Sequence, residues 1–121
     1  MGDLSEHFDR REFRCKCYQC DYDDPQPELV NLLEAIRAEC GGHPMLLNSA
    51  SRCPTHNRNV GGASNSRHVS QDAADIVVDG VPVSEVYQVA ERLLAGRGGL
   101  GKYKTFTHVD TRPNGPARWS G

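Results

Sequence analysis

A chain of 121 residues can hold one hydrophobic core and is too short for two. A net charge of −2 with neutral histidines leaves no positive footprint for nucleic acid or an anionic membrane surface. Apolar runs only a few residues long exclude a membrane-spanning helix, and the polar, acidic start MGDLSEHFDRREF has no basic-then-apolar secretory signal. The expectation is a monomeric single domain over 1–121, made in the cytoplasm, with neither nucleic acid nor membrane as partner.

In chain order, residues 1–24 read as an irregular, cysteine-containing segment packed on the domain, with a helical turn near Ser5 to Phe13 and Phe8 and Phe13 as its anchors. The stretch DYDDPQP is a loop. A helix is predicted over about 27–40, because Leu29, Leu32, Leu33 and Ile36 recur at the spacing of one helical face. Pro27 suits its first turn and Gly41-Gly42 ends it. Residues 44–48 form a short strand. A long Gly-, Ser- and Asn-rich segment follows over 49–72, and loops of that length in small domains carry function or stay disordered. A β-branched strand over 74–78 ends at the turn Asp79-Gly80. A second helix is expected over 85–95, capped by Ser84, with Val86, Val89, Ala90, Leu93 and Leu94 inward. Residues 96–101 read as a flexible connector, 104–111 as the last strand, and the remainder as a turn-rich tail from which Trp119 packs back. The sum is an α+β fold: two main helices, a small antiparallel sheet and long active-site loops.

Several polar residues fall at the strand ends. With a strand period of two, Phe106, His108 and Asp110 share one face. His68 lies on the long loop, and Asp75 opens the strand that follows it. Carboxylates are rarely buried without a partner, so Asp75 either caps a backbone or faces a positive charge. Two imidazoles and one carboxylate also make up a common ligand set of catalytic zinc, which leaves a fourth position for water. The plainer reading is a surface or core histidine and a turn aspartate.

Five cysteines form a second group: Cys15, Cys17 and Cys20 in a C-x-C-x-x-C run, then Cys40 and Cys53. An odd count without a signal peptide makes a poor disulfide framework. Cys15, Cys17, Cys20 and Cys53 can form a four-thiolate structural zinc site, or remain thiols, one pair of which could oxidise to a disulfide outside the cytosol. Cys40 reads as a core thiol.

The run SRCPTHNRNVGGASNSRHVSQDAADIVVDG, followed by GKYKTFTHVDTRP, resembles the zinc D-Ala-D-Ala carboxypeptidase-like peptidases, which cut peptidoglycan peptides. It looks closest to short phage- or prophage-type members, and the likeness runs from EFRCKC to the Trp119 tail. The family pattern S-x-H-x6-D followed by a later histidine falls on Ser66, His68, Asp75 and His108. The resemblance implies a fold of the hedgehog and D-Ala-D-Ala peptidase kind, with His68, Asp75 and His108 as zinc ligands. It implies that Arg52, sixteen residues before His68, grips substrate and stabilises charge at the scissile carbonyl, with Ser66 beside the substrate. The general base stays open. Asp110 is one reading, and a carboxylate that orients a ligand or pairs with Arg112 is the other. Tyr103 either donates to an oxyanion or covers the site as an aromatic. His56 either reaches the substrate or is an ordinary loop histidine. The implied function is a zinc metallopeptidase, carboxypeptidase or endopeptidase, acting on the cell wall after release by an unknown route. The alternative is a catalytically weak, zinc-stabilised module that binds wall peptides.

Overall fold

The structure, a computed structural model, describes residues 5, 7–8, 10–13, 25–50, 72–113 and 116–120. Helix α1 spans Pro27–Glu39, with Pro27 in the first turn, where its missing N–H costs nothing, and Arg37 in the last turn, where a cation suits the helix dipole. Leu29, Leu33 and Ile36 are fully buried as the spacing predicted, while Leu32 is only partly buried and Val30, outside the predicted set, is nearly fully buried. Gly41 and Gly42 follow with φ of 94° and 78°, a left-handed turn that an L side chain resists. Helix α2 spans Val83–Leu94. Its N-cap is Pro82, so Ser84 falls inside the first turn and does not cap the helix. Val86, Val89, Ala90 and Leu94 are buried as expected, and Leu93 only partly so. No helix among the described residues is long and apolar enough to cross a membrane.

The described residues form one five-stranded sheet: β1 Met45–Ser49, β2 Ala73–Val78, β3 Gly99–Lys102, β4 Thr107–Asp110 and β5 Ala117–Ser120, in the order β1-β2-β4-β3-β5. The sheet is mixed, not wholly antiparallel, because β5 runs parallel to β3. Gly99 lies opposite both Asp110 and Ala117, so β4 ends and β5 begins on either side of the start of β3. The expected connector at 96–101 thus contains a strand, and the expected tail supplies another. Arg118 fastens β5 to the helix layer: its guanidinium meets Glu91 of α2 at 2.7 Å and donates to the carbonyls of Arg97 and Gly98. Strand β4 is shorter than predicted. Phe106 precedes it and stacks on Tyr103, with ring centroids 4.4 Å apart, in place of joining the face of His108.

Strand alternation sorts the sheet into two faces. Ala74, Ile76, Val78, Leu100 and Val109 join Met45 and Leu47 under the two helices and form the core. Thr107 shares that face, and its Oγ1 is buried with no hydrogen-bond partner. Phe8 and Phe13 close the core, their rings edge to face at 6.0 Å, Phe8 before a 3-10 turn at Arg10–Phe13 and Phe13 at its end. Glu34 of α1 holds this segment down. Its carboxylate accepts from the Ser5 hydroxyl at 2.6 Å and from the His7 backbone N–H at 2.8 Å, and it meets the His7 ring at 2.7 Å. Cys40 is a buried free thiol in the same core, as expected. Asp75, His108 and Asp110 belong to the opposite face.

Candidate active site

Asp75 on β2 and His108 on β4 are directly opposite across the antiparallel pair. Such partners stand side by side on one face. Asp75 Oδ1 and His108 Nδ1 are 3.0 Å apart, and both residues are buried. A β1 bulge between Leu47 and Ser49 sits beside Asp75, a common place for a bulge next to a functional site.

The other imidazole nitrogen is also engaged. Nε2 of His108 lies 2.8 Å from Asp110 Oδ2. Asp110 is fully buried, and Arg112 supplies the rest of its shell. Arg112 Nη2 donates to Oδ2 at 2.7 Å, while its Nε at 2.8 Å and its backbone N–H at 3.2 Å donate to Oδ1. This is the two-point fork with which a guanidinium holds a carboxylate most firmly.

These contacts set the charges. Burial works against the charged form of His108, but the hydrogen bonds and charges of Asp110 and Asp75 outweigh it and raise the imidazole above its ordinary pKa. Burial likewise opposes the Asp110 carboxylate, yet Arg112 and His108 hold it far below the usual carboxylate range. A carboxylate so weakly basic, with both oxygens occupied, suits holding a neighbour more than taking a proton.

The cradle for these groups is β3. A Cβ on Gly99 would sit 2.6 Å from Asp110 Cγ and closer still to Oδ2, so the carboxylate occupies the space that a side chain would take. A Cβ on Gly101 would lie 2.6 Å from the Trp119 indole nitrogen. Trp119 therefore lies across β3 and meets the His108 ring at 5.0 Å. Its Nε1–H donates to the Tyr103 hydroxyl oxygen at 2.9 Å, and the Arg112 guanidinium lies 5.4 Å from its ring centre.

Asp75 and His108 offer two donor atoms of the kinds zinc takes. A tetrahedral site with bonds of about 2.0–2.1 Å has ligand atoms about 3.3 Å apart. The observed 3.0 Å is close to that edge, and a histidine ligand whose second nitrogen is held by a carboxylate is a common arrangement in zinc sites. The pair thus fits a metal as far as two donors can. Among the described residues no group of three His, Cys, Asp or Glu side chains forms a cage. The expected third donor, His68, lies outside the described residues, as do Arg52, His56 and Ser66 and the cysteine set Cys15, Cys17, Cys20 and Cys53.

Of the expected site residues, the structure brings together Asp75, His108 and Asp110, with Tyr103 one residue further out through Trp119. Trp119 packs back as expected, onto β3 and His108, whereas the roles of Gly99 and Gly101 were missed. The G-x-G spacing of β3 was the available signal, since glycines two apart in a strand clear one face.

The family model for Peptidase M15 matches residues 6–110. The zinc D-Ala-D-Ala carboxypeptidase of Streptomyces albus G is 50% identical over 44 residues, 36% of this chain and 17% of that protein. The probable peptidoglycan L,D-endopeptidase MepK of Haemophilus influenzae is 38% identical over 89 residues, 71% of this chain and 43% of that protein. The chain spans less than half the length of either curated relative.

Proposed function

The chain belongs to the Peptidase M15 family, and on that premise we propose that it is a zinc-dependent peptidase that hydrolyses peptide bonds in peptidoglycan stem peptides. The observation that carries the reading is the convergence of Asp75 Oδ1 and His108 Nδ1 at 3.0 Å, with the far side of the imidazole held by Asp110. His68 completes the donor set in this proposal. A zinc ion held there supplies Lewis acidity, making water nucleophilic near neutral pH and polarising a carbonyl. Asp75 would bring the compensating negative charge, and His108, once the metal displaces the proton on Nδ1, a rigid neutral donor. Arg52 anchors the peptide through a carboxylate or steadies the developing oxyanion. Asp110 orients His108 and is not the base. Tyr103 and Trp119 form an aromatic wall beside the imidazole.

The commitment of Asp110 favours a second reading. No described residue at the site is poised to take a proton from water, which suits a module that binds zinc and wall peptide with weak turnover. Metal content by elemental analysis and turnover of a synthetic stem peptide separate the readings. The peptidase reading expects turnover and at least one zinc per chain, both lost in a folded His108→Ala variant. A second zinc that persists in that variant adds a cysteine clamp. Zinc content unchanged by His108→Ala overturns the assignment of the site. Zinc lost without any wild-type turnover leaves the binding module.

A further inference from the structure

His108, Asp110 and Arg112 stand at alternate positions along one stretch of chain, and each holds the next. Arg112 grips Asp110 through Nε at 2.8 Å and Nη2 at 2.7 Å, which fixes both the position and the plane of the carboxylate. Oδ2 then has one direction left for the His108 ring, whose Nε2 lies 2.8 Å away. An imidazole flips readily between two orientations about its outer torsion, because that torsion is broad and two-fold. With Nε2 tied to Oδ2, Nδ1 is the nitrogen that faces Asp75. Trp119 closes the side, within ring-contact range of both His108 and Arg112. Arg112 also contributes to the wall of a cavity of about 540 Å³ that it shares with Leu32, Leu94 and Arg97, and its side chain is partly open to solvent.

We propose that Arg112 is a positioning residue of the candidate metal site: its fork on Asp110 sets the orientation of the His108 ring, and metal affinity depends on it although it contributes no donor atom. The inference rests on the zinc reading above. Partners one layer behind metal ligands, where Asp110 stands, typically account for about 10- to 100-fold in affinity, and Arg112, one layer further out, is expected at the low end of that range. Lysine can keep the charge beside Asp110 but not the planar two-point grip, so it separates the fork from the charge.

The test is the zinc dissociation constant of the whole chain, measured by competition with a chromophoric chelator, for wild type, Arg112→Lys and Arg112→Ala, with circular dichroism as the check on folding. The expected result is about a tenfold loss for folded Arg112→Ala and a smaller but measurable loss for Arg112→Lys. Millimolar guanidinium chloride, compared with sodium chloride at equal ionic strength, should restore part of the Arg112→Ala affinity, because the Arg112 side chain is partly open to solvent and the ion can enter from there. Variants that bind zinc as tightly as a zinc-binding wild type overturn this inference alone. So does a loss in Arg112→Ala that guanidinium leaves unchanged while Arg112→Lys binds like wild type. A wild type that takes up no zinc overturns the metal reading, and this inference with it.

Discussion

Replacing Gly99 by alanine tests whether the Asp110 carboxylate is locked. The added methyl would sit 2.6 Å from Asp110 Cγ. Comfortable carbon contacts begin at about 3.5 Å, so the carboxylate or the strand must retreat by about 0.9 Å. The 2.7 and 2.8 Å bonds to Arg112 and His108 cannot absorb such a move, because stretching by that much takes them outside hydrogen-bonding range. Each charge-assisted bond contributes roughly 1.5–3 kcal/mol net, and β3 shares some of the strain by shifting. The lower chain entropy of an unfolded alanine returns about 0.4–1 kcal/mol. The expected net loss is about 3–5 kcal/mol, the range for breaking a buried ion pair. Urea unfolding of the metal-free protein, followed by far-ultraviolet circular dichroism, measures it. Gly96→Ala is the control: Gly96 has a φ of 80° and nothing within 4 Å of an added Cβ, so it isolates backbone strain of roughly 1–2 kcal/mol. A Gly99→Ala loss no larger than that of Gly96→Ala would refute the reasoning.

Thr107→Val removes the unpartnered buried Oγ1 and keeps the shape of the side chain, so it should stabilise the fold by up to about 1 kcal/mol in the same assay, whereas a clear destabilisation would mean that the hydroxyl is used. Glu34 gives a pH dependence. Burial alone would raise its pKa, but the hydrogen bonds of Ser5 and His7 and the charge of His7 lower it. A depressed folded pKa means a contribution fully present above the unfolded value of about 4.3 and lost as pH falls through and below it. The contribution is under about 1 kcal/mol because the contacts are partly solvated. Amide hydrogen exchange at His7 should therefore accelerate relative to the core as pH falls below that value, and Glu34→Gln should flatten the trend. Gly101→Ala should push the indole off β3 and break its bond to Tyr103, seen as a shift of the single indole N–H resonance towards its unbonded position, whereas an unshifted resonance would show that the strand yields instead.

The helices were legible because each has a strong periodic apolar face, although Ser84 does not cap α2, which begins two residues earlier than predicted, at Val83. Asp75 and His108 were legible as a pair because a period of two and an apolar run placed both on strands. The register that sets them opposite each other was not, since pairing depends on contacts far apart in the chain. Strands β3 and β5 escaped because Gly-Leu-Gly-Lys and Ala-Arg-Trp-Ser lack β-branched residues and sit among turn formers. Their glycines read as flexibility, yet they are what allows Asp110 and Trp119 to lie flat on the sheet. Asp110 was open between base and partner to Arg112 on sequence alone. The alternation His108, Asp110, Arg112 held the second reading, and only the distances show how completely the carboxylate is used.

The chain has one tryptophan, and it lies on β5 against His108, not among the helices. Intrinsic fluorescence therefore looks at one edge of the sheet, while far-ultraviolet circular dichroism is dominated by α1 and α2. Two denaturation curves recorded on one sample thus follow two different parts of the molecule. If they superimpose, β5 is released only with the whole domain. If the fluorescence curve runs ahead, the edge strand opens as a separate cooperative unit, and the aromatic wall of the site comes and goes with an equilibrium of its own.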